Sequence, residues 1–196
     1  MKKQILGIAA LSAAATLGLA ACGGSSSTSA GSSGTTTTGG SSGSASTTTT
    51  AAGPPFSATG FTTVVPNGWT NGTTADNTGN TGTKFLASFD NNSVGTIEVA
   101  QVGTGQVDTA SVVTQVAQKL GGTSISAPQT FSVAGASGNY VTFGKKASDG
   151  TQLQAEVGVV IHNSTGYQIQ YIAASNQFDS NMSAFQTVIS NWKWTS

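Results

Sequence analysis

The sequence predicts an α+β domain: a central antiparallel β-sheet with helices packed on it. Three observations carry this reading. Residues 152–162 and 167–173 alternate apolar and polar side chains, the two-residue period of strands. Residues 108–120 and 178–192 instead space their apolar side chains three and four apart, the stripe of an amphipathic helix. These helices are set apart from the runs of strands in sequence, which separates the pattern from a parallel βαβ fold.

The first element is not part of that domain. Met1-Lys2-Lys3-Gln4 precedes an apolar stretch that runs through Leu6, Ile8, Leu11, Leu17 and Leu19 to Ala21, the charged and hydrophobic regions of a secretory signal peptide. Residues 1–21 are therefore expected to direct export. Leu19-Ala20-Ala21-Cys22 resembles a bacterial lipobox, in which the cysteine thiol receives a diacylglyceryl group and the peptide bond before it is cut. Two or more acyl chains hold a protein on a membrane where one does so only marginally, so lipidation of Cys22 predicts a stable extracytoplasmic anchor.

Cys22 is also the single cysteine of the chain. The mature domain is thereby predicted to have no disulfide framework, thiolate zinc site or cysteine nucleophile. Its charges are five lysines, Lys84, Lys119, Lys145, Lys146 and Lys193, against seven carboxylates and no arginine. No basic surface for nucleic acid follows from that set.

From residue 22 to 54 the chain is almost entirely Ser, Thr, Gly and Ala, with no large apolar side chain to offset the entropy of ordering a backbone. It reads as a disordered tether with a mean reach of roughly 30 Å. Pro54-Pro55 closes it, and residues 55–196 form one domain, expected to be monomeric.

Within the domain, residues 61–65 predict a strand ended by the Pro66-Asn67-Gly68 turn, and residues 71–82 a polar loop. Strands at 84–89 and 94–102 flank a turn at 90–93, with Ile97 and Val99 on one face. Asp108 is the expected N-cap of a helix whose stripe is Val112, Val113, Val116, Ala117 and Leu120, stopped by Gly121-Gly122. Residues 131–133 and 139–145 continue as strands.

The 152–162 strand sets Leu153, Ala155, Val157, Val159 and Ile161 against Gln152, Gln154, Glu156, Gly158, Val160 and His162, an apolar face against a mostly polar one. In the next strand Tyr167, Ile169, Tyr171 and Ala173 form the apolar set and Gln168 and Gln170 the polar one. A three-residue loop, Ser164-Thr165-Gly166, would pair Ile161 with Ile169, Val159 with Tyr171 and His162 with Gln168, keeping both apolar sets on one face. The final helix carries Phe178, Met182, Phe185, Val188, Ile189 and Trp192 toward the sheet.

"FTTVVPNGW" at the start of the domain, the helix after the third strand, the long hairpin over 140–173 and the closing "FQTVISNWKW" together resemble the PsbP/Mog-like family. That family includes the photosystem II extrinsic protein PsbP, the Ran-binding Mog proteins and bacterial envelope lipoproteins of the LpqN and LpqT type. The resemblance implies an α/β/α sandwich whose members differ widely in partner and are mostly not enzymes. It carries no functional residue onto this chain.

Tempting chemical motifs do not hold. "VGTGQVDTA" at 102–110 puts Asp108 where a dinucleotide fingerprint needs its third glycine. His162, the single histidine, stands at a hairpin end without a G-x-S-x-G elbow, which leaves a hydrolase as the weakest reading. Around Asp76, Asn77, Asn80, Asp90 and Asn91 the residue types suit calcium, but EF-hand spacing is missing, and no metal or cofactor is predicted. The expected binding face is the glutamine-rich side of the sheet, Gln152, Gln154, Glu156, His162, Gln168 and Gln170. Glutamines offer donors and acceptors without the desolvation cost of a charge, which suits contact with an envelope protein or glycan. The alternative, carriage of a lipid or other apolar small molecule, calls for a deep apolar pocket between sheet and helix.

Overall fold

A computed structural model describes residues 53–78, 84–92, 95–105 and 107–195. The signal segment, Cys22, the tether up to residue 52 and Asn80 lie outside the described residues. A short hairpin opens the domain, β1 (Pro55–Ala58) and β2 (Phe61–Val64), followed by β3 (Thr70–Asn71) and the one-turn helix α1 (Thr73–Asn77). Then come β4 (Phe85–Asn91), β5 (Gly95–Thr104), α2 (Thr109–Lys119), β6 (Gln129–Val133), β7 (Ala136–Lys146), β8 (Gln152–His162), β9 (Thr165–Ala174), α3 (Phe178–Ser190) and β10 (Lys193–Trp194).

The main sheet has seven antiparallel strands in the order β3-β4-β5-β9-β8-β7-β6, and a second sheet joins β1-β2-β10. The α+β reading holds. Asp108 caps α2 as expected: its side chain accepts a hydrogen bond from the Ala110 amide at 3.1 Å and another from the Ser111 hydroxyl at 2.6 Å. Both partners favour the ionised carboxylate and hold its pKa below the usual range, the Ser111 hydroxyl most strongly.

Helices cover opposite faces of the sheet. On one face Val113 and Ala117 of α2 pack against Val141, Phe143, Ala155, Val157, Val159 and Ile172. On the other, Phe178, Phe185 and Val188 of α3 join Phe89, Ile97, Val99, Ile169 and Tyr171, with Phe61 and Trp192 from the small sheet and the segment beside it. Each helix covers only half of its face, α2 over β7 and β8, α3 over β9 and the β2 side.

This double core overturns the predicted hairpin register. His162 pairs with Thr165, Ile161 with Gly166 and Val159 with Gln168, closed by the two-residue turn Asn163-Ser164. Both turn residues have positive φ, 47° and 60°, the conformation that lets a two-residue loop follow the right-handed twist of its strands. The apolar sets of β8 and β9 therefore point to opposite faces, β8's under α2 and β9's under α3. Gly166 belongs to the strand: a Cβ there would lie 3.0 Å from Val102 Cγ2. Because a non-glycine residue is strained at φ 60°, Ser164→Gly is expected to stabilise the fold by about 0.5 kcal/mol after its unfolded-state entropy is offset, read as a higher melting temperature.

Other differences have simple causes. The predicted loop 71–82 contains α1, too short for an apolar stripe and held instead by side chains. The Asn77 amide donates to the Phe85 carbonyl and its oxygen accepts from the Phe85 amide, both at 2.8 Å. Trp192 lies beyond the end of α3, 3 % exposed, where its ring stacks on Phe61.

Candidate functional site

The six residues of the predicted glutamine face do not share a face. Gln152, Gln154, Glu156 and His162 project on the α3 side of the sheet, whereas Gln168 and Gln170, paired with Val159 and Val157, project on the α2 side. His162 is half-buried at the hairpin end, its ring stacked on Trp194 with centroids 4.3 Å apart and planes 6° from parallel. Trp194 in turn meets Tyr167 at 5.0 Å and donates its indole N–H to the Val133 carbonyl at 3.1 Å.

Helix coverage leaves two diagonal quarters of the sheet for inspection. On the α2 side, away from α2, a polar row crosses β4, β5 and β9. Ser88 stands opposite Glu98, and Glu98 opposite Gln170. The Gln168 amide donates to Gln170 Oε1 at 3.0 Å, and the Gln170 amide donates a short bond to Glu98 Oε2. Glu98 is 6 % exposed and Gln170 2 %. Burial pushes the Glu98 carboxyl up to about 7; the Gln170 amide opposes this, Asp76 and Asp90 add to it, and Lys145 counters it most weakly.

Glu98 was not legible as a site residue. It alternates with Ile97 and Val99, so the pattern assigns it to the wet side, and only the burial of that side by the fold makes it chemically distinct.

On the α3 side, over β7 and β8, no helix of the described residues packs. Tyr140 and Thr142 of β7 and Gln154 and Glu156 of β8 are half-buried there, with Phe131 of β6 lying over Gly158. A Cβ at Gly158 would come within 2.4 Å of Phe131 Cζ, so the ring rests on the glycine and a larger residue would push it aside. Phe131 meets Tyr140 edge-on at 5.8 Å, and the Tyr140 hydroxyl donates to Gln129 Oε1 at 2.8 Å. Burial also raises the Glu156 carboxyl above its ordinary value. The result is a shallow patch of aromatic rings, amides, hydroxyls and one carboxyl, a composition suited to recognition by stacking and hydrogen bonds.

A seven-stranded antiparallel sheet with α2 on one face and α3 with a small sheet on the other defines an α+β sandwich of the class the sequence resemblance implied. Its particular counterparts among solved structures include LpqN of Mycobacterium tuberculosis, a protein involved in cell envelope biogenesis. The two are 17 % identical over 74 % of this chain and 86 % of LpqN, with a TM-score of 0.51. Cyanobacterial PsbP from Synechocystis sp. PCC 6803 is 17 % identical over 80 % of this chain and 98 % of its own, TM-score 0.47. The Ran-binding protein Mog1p of Saccharomyces cerevisiae is 14 % identical over 71 % and 94 %, TM-score 0.48. No protein-family model and no curated protein sequence matches the chain. At such identity the likeness to LpqN is one of fold, and fold alone does not transfer a function. Among the described residues no helix is long and apolar enough to cross a membrane.

Proposed function

We propose that this chain is an extracytoplasmic lipoprotein, anchored through Cys22, whose tethered domain binds or positions another envelope component without catalysing a reaction. The observation that carries the binding role is the uncovered quarter of the sheet formed by Phe131, Tyr140, Thr142, Gln154 and Glu156. The signal-like segment and the lipobox-like Leu19-Ala20-Ala21-Cys22 support the anchor, and the fold shared with LpqN is compatible with the envelope. Carriage of an apolar molecule asks for space between sheet and helix. Under α2 that space is occupied by Val113, Ala117, Val141, Ala155, Val157 and Val159, each fully buried. The recess beside α2, about 390 Å³ and lined by Ala110, Ser111, Thr114, Gln115, Gln118 and Pro128, lies open on the outside of the helix rather than between helix and sheet.

Two variants of the full chain test the reading. Cys22→Ser is expected to leave the membrane pellet and appear in the soluble fraction; retention through alkaline and salt washing would defeat the anchor. Gln154→Arg is expected to lose the partner that native mass spectrometry finds on the wild-type protein from solubilised envelopes. If the same bound mass persists on that variant, the face is wrong.

A further inference from the structure

The outer end of the polar row holds a second feature. Gly72 continues from β3 alongside β4, its amide donating to the Ser88 carbonyl at 2.9 Å, while Thr70 pairs with Asp90. Gly72, Ser88 and Asp90 therefore lie on one face, with Glu98 across from Ser88. A Cβ built on Gly72 would stand 2.3 Å from Asp90 Oδ2 and 3.2 Å from Asp76 Oδ2. Two carboxylate oxygens, one from β4 and one from α1, thus converge over a residue that has no side chain to separate them.

Among the described residues no cation compensates the Asp90 charge. Burial and the neighbouring Asp76 both raise the Asp90 carboxyl, and the Thr96 hydroxyl is the group that opposes them. An independent observation lies on the same strand face. Ser88 Oγ is completely buried and has no hydrogen-bond partner, although the Ser88 amide is satisfied by the Thr73 hydroxyl at 2.8 Å. A buried hydroxyl is ordinarily paired, and an unpaired one on the strand face that carries Asp90, across from Gly72, is an oxygen in want of a cation or a proton donor.

We propose that the space above Gly72 binds a hard divalent cation of the calcium class, held by the carboxylates of Asp76 and Asp90 with the Ser88 hydroxyl beside them. Every donor is oxygen, the set that calcium prefers, whereas zinc favours sites that include nitrogen or sulfur. Two carboxylates meet here, and no group of three or more acidic, histidine or cysteine side chains is placed for chelation among the described residues. The remaining ligands would be water. Few protein ligands place the affinity in the range of extracellular calcium modules, a Kd of about 10⁻⁴ to 10⁻³ M. The inference does not depend on the anchor or on the binding face.

The experiment is calorimetric titration of the full-length chain, purified in detergent and stripped with EDTA, with calcium chloride, alongside melting curves with and without calcium. Saturable binding in the stated range and a calcium-dependent rise in melting temperature are expected. Asp90→Asn should weaken binding at least about tenfold, the loss of a carboxylate ligand, and in EDTA it should melt no lower than wild type, because it removes a like charge from Asp76. Asp149→Asn, at the β7–β8 hairpin, should bind as wild type does. Gly72→Ala should also lose the site, a methyl group standing where the oxygens meet. An absence of heat and melting shift well above the stated range, or identical titrations of wild type and Asp90→Asn, would overturn the proposal.

Discussion

Phe61→Ala is expected to lower the stability of the domain by about 3–5 kcal/mol, one of the largest losses any single truncation here should produce. Phe61 is completely buried in β2, the strand that pairs with both β1 and β10. Its ring stacks on Trp192 with centroids 3.9 Å apart and planes 10° from parallel, and it meets Tyr167 edge-on and Phe56 at a tilt, each at 6.4 Å. Tyr167 and Trp192 both continue to Trp194, at 5.0 and 5.2 Å. One ring thus joins the first strands of the domain, the last strand and the main sheet. Its removal leaves a cavity that the stacked indole cannot fill without leaving its own site. Phe61→Leu, which retains most of the volume, should cost about 1 kcal/mol.

Urea unfolding of the three proteins checks this, followed both by tryptophan fluorescence and by far-ultraviolet circular dichroism. In a Trp69→Phe background, which removes the tryptophan packed near Tyr171, fluorescence reports on Trp192 and Trp194, and circular dichroism reports on the main sheet. Coincident transitions would show that the three-stranded sheet belongs to the same cooperative unit as the seven-stranded one. A loss below about 1 kcal/mol for Phe61→Ala would mean that the aromatic cluster adds little to the fold.

What the sequence made legible was local. The stripe and Asp108 cap of α2, the apolar positions of α3 from Phe178 to Ile189 and the alternation of β8 and β9 each follow from a period or a capping residue, and each stands in the structure. The registration of β8 on β9 was not legible, because it depends on how many faces of the sheet are buried. The predicted and observed pairings differ by three residues, an odd number, so they exchange the faces of one strand relative to the other. Val160 held the clue. It is a fully buried aliphatic residue at a position the alternation assigned to solvent, and it packs on the α3 side with Tyr167 and Val133.

The same cause divided the glutamine face. With one core, all six polar positions would line one wet surface; with two, Gln154 and Glu156 stay accessible while Gln170 is enclosed with Glu98. Terminal strands β1 and β10 and helix α1 were missed because two to five residues are too few to show a period. β10 is held by pairing with β2 from the other end of the domain, β1 by pairing with the adjoining β2, and α1 by the Asn77 side chain on Phe85.

The enclosed carboxyl has a measurable consequence. Between pH 4.5 and about 7 the folded chain keeps a proton on Glu98 that the unfolded chain has already released, since burial raises the folded-state pKa from 4.5 to about 7. The folded state then binds more protons than the unfolded state, so stability falls as pH rises through that window and stays lower above it. A shift of that size corresponds to about 3 kcal/mol. Glu98→Gln removes the ionisation yet keeps an oxygen to accept from the Gln170 amide. It is therefore expected to match wild type near pH 4.5 and to exceed its stability at about pH 8 by up to about 3 kcal/mol. Urea unfolding at both pH values checks this. A glutamine variant that is less stable than wild type at the higher pH would mean that the charged carboxylate is favourably held, and that the row from Ser88 to Gln170 is a network built around an anion rather than around a proton.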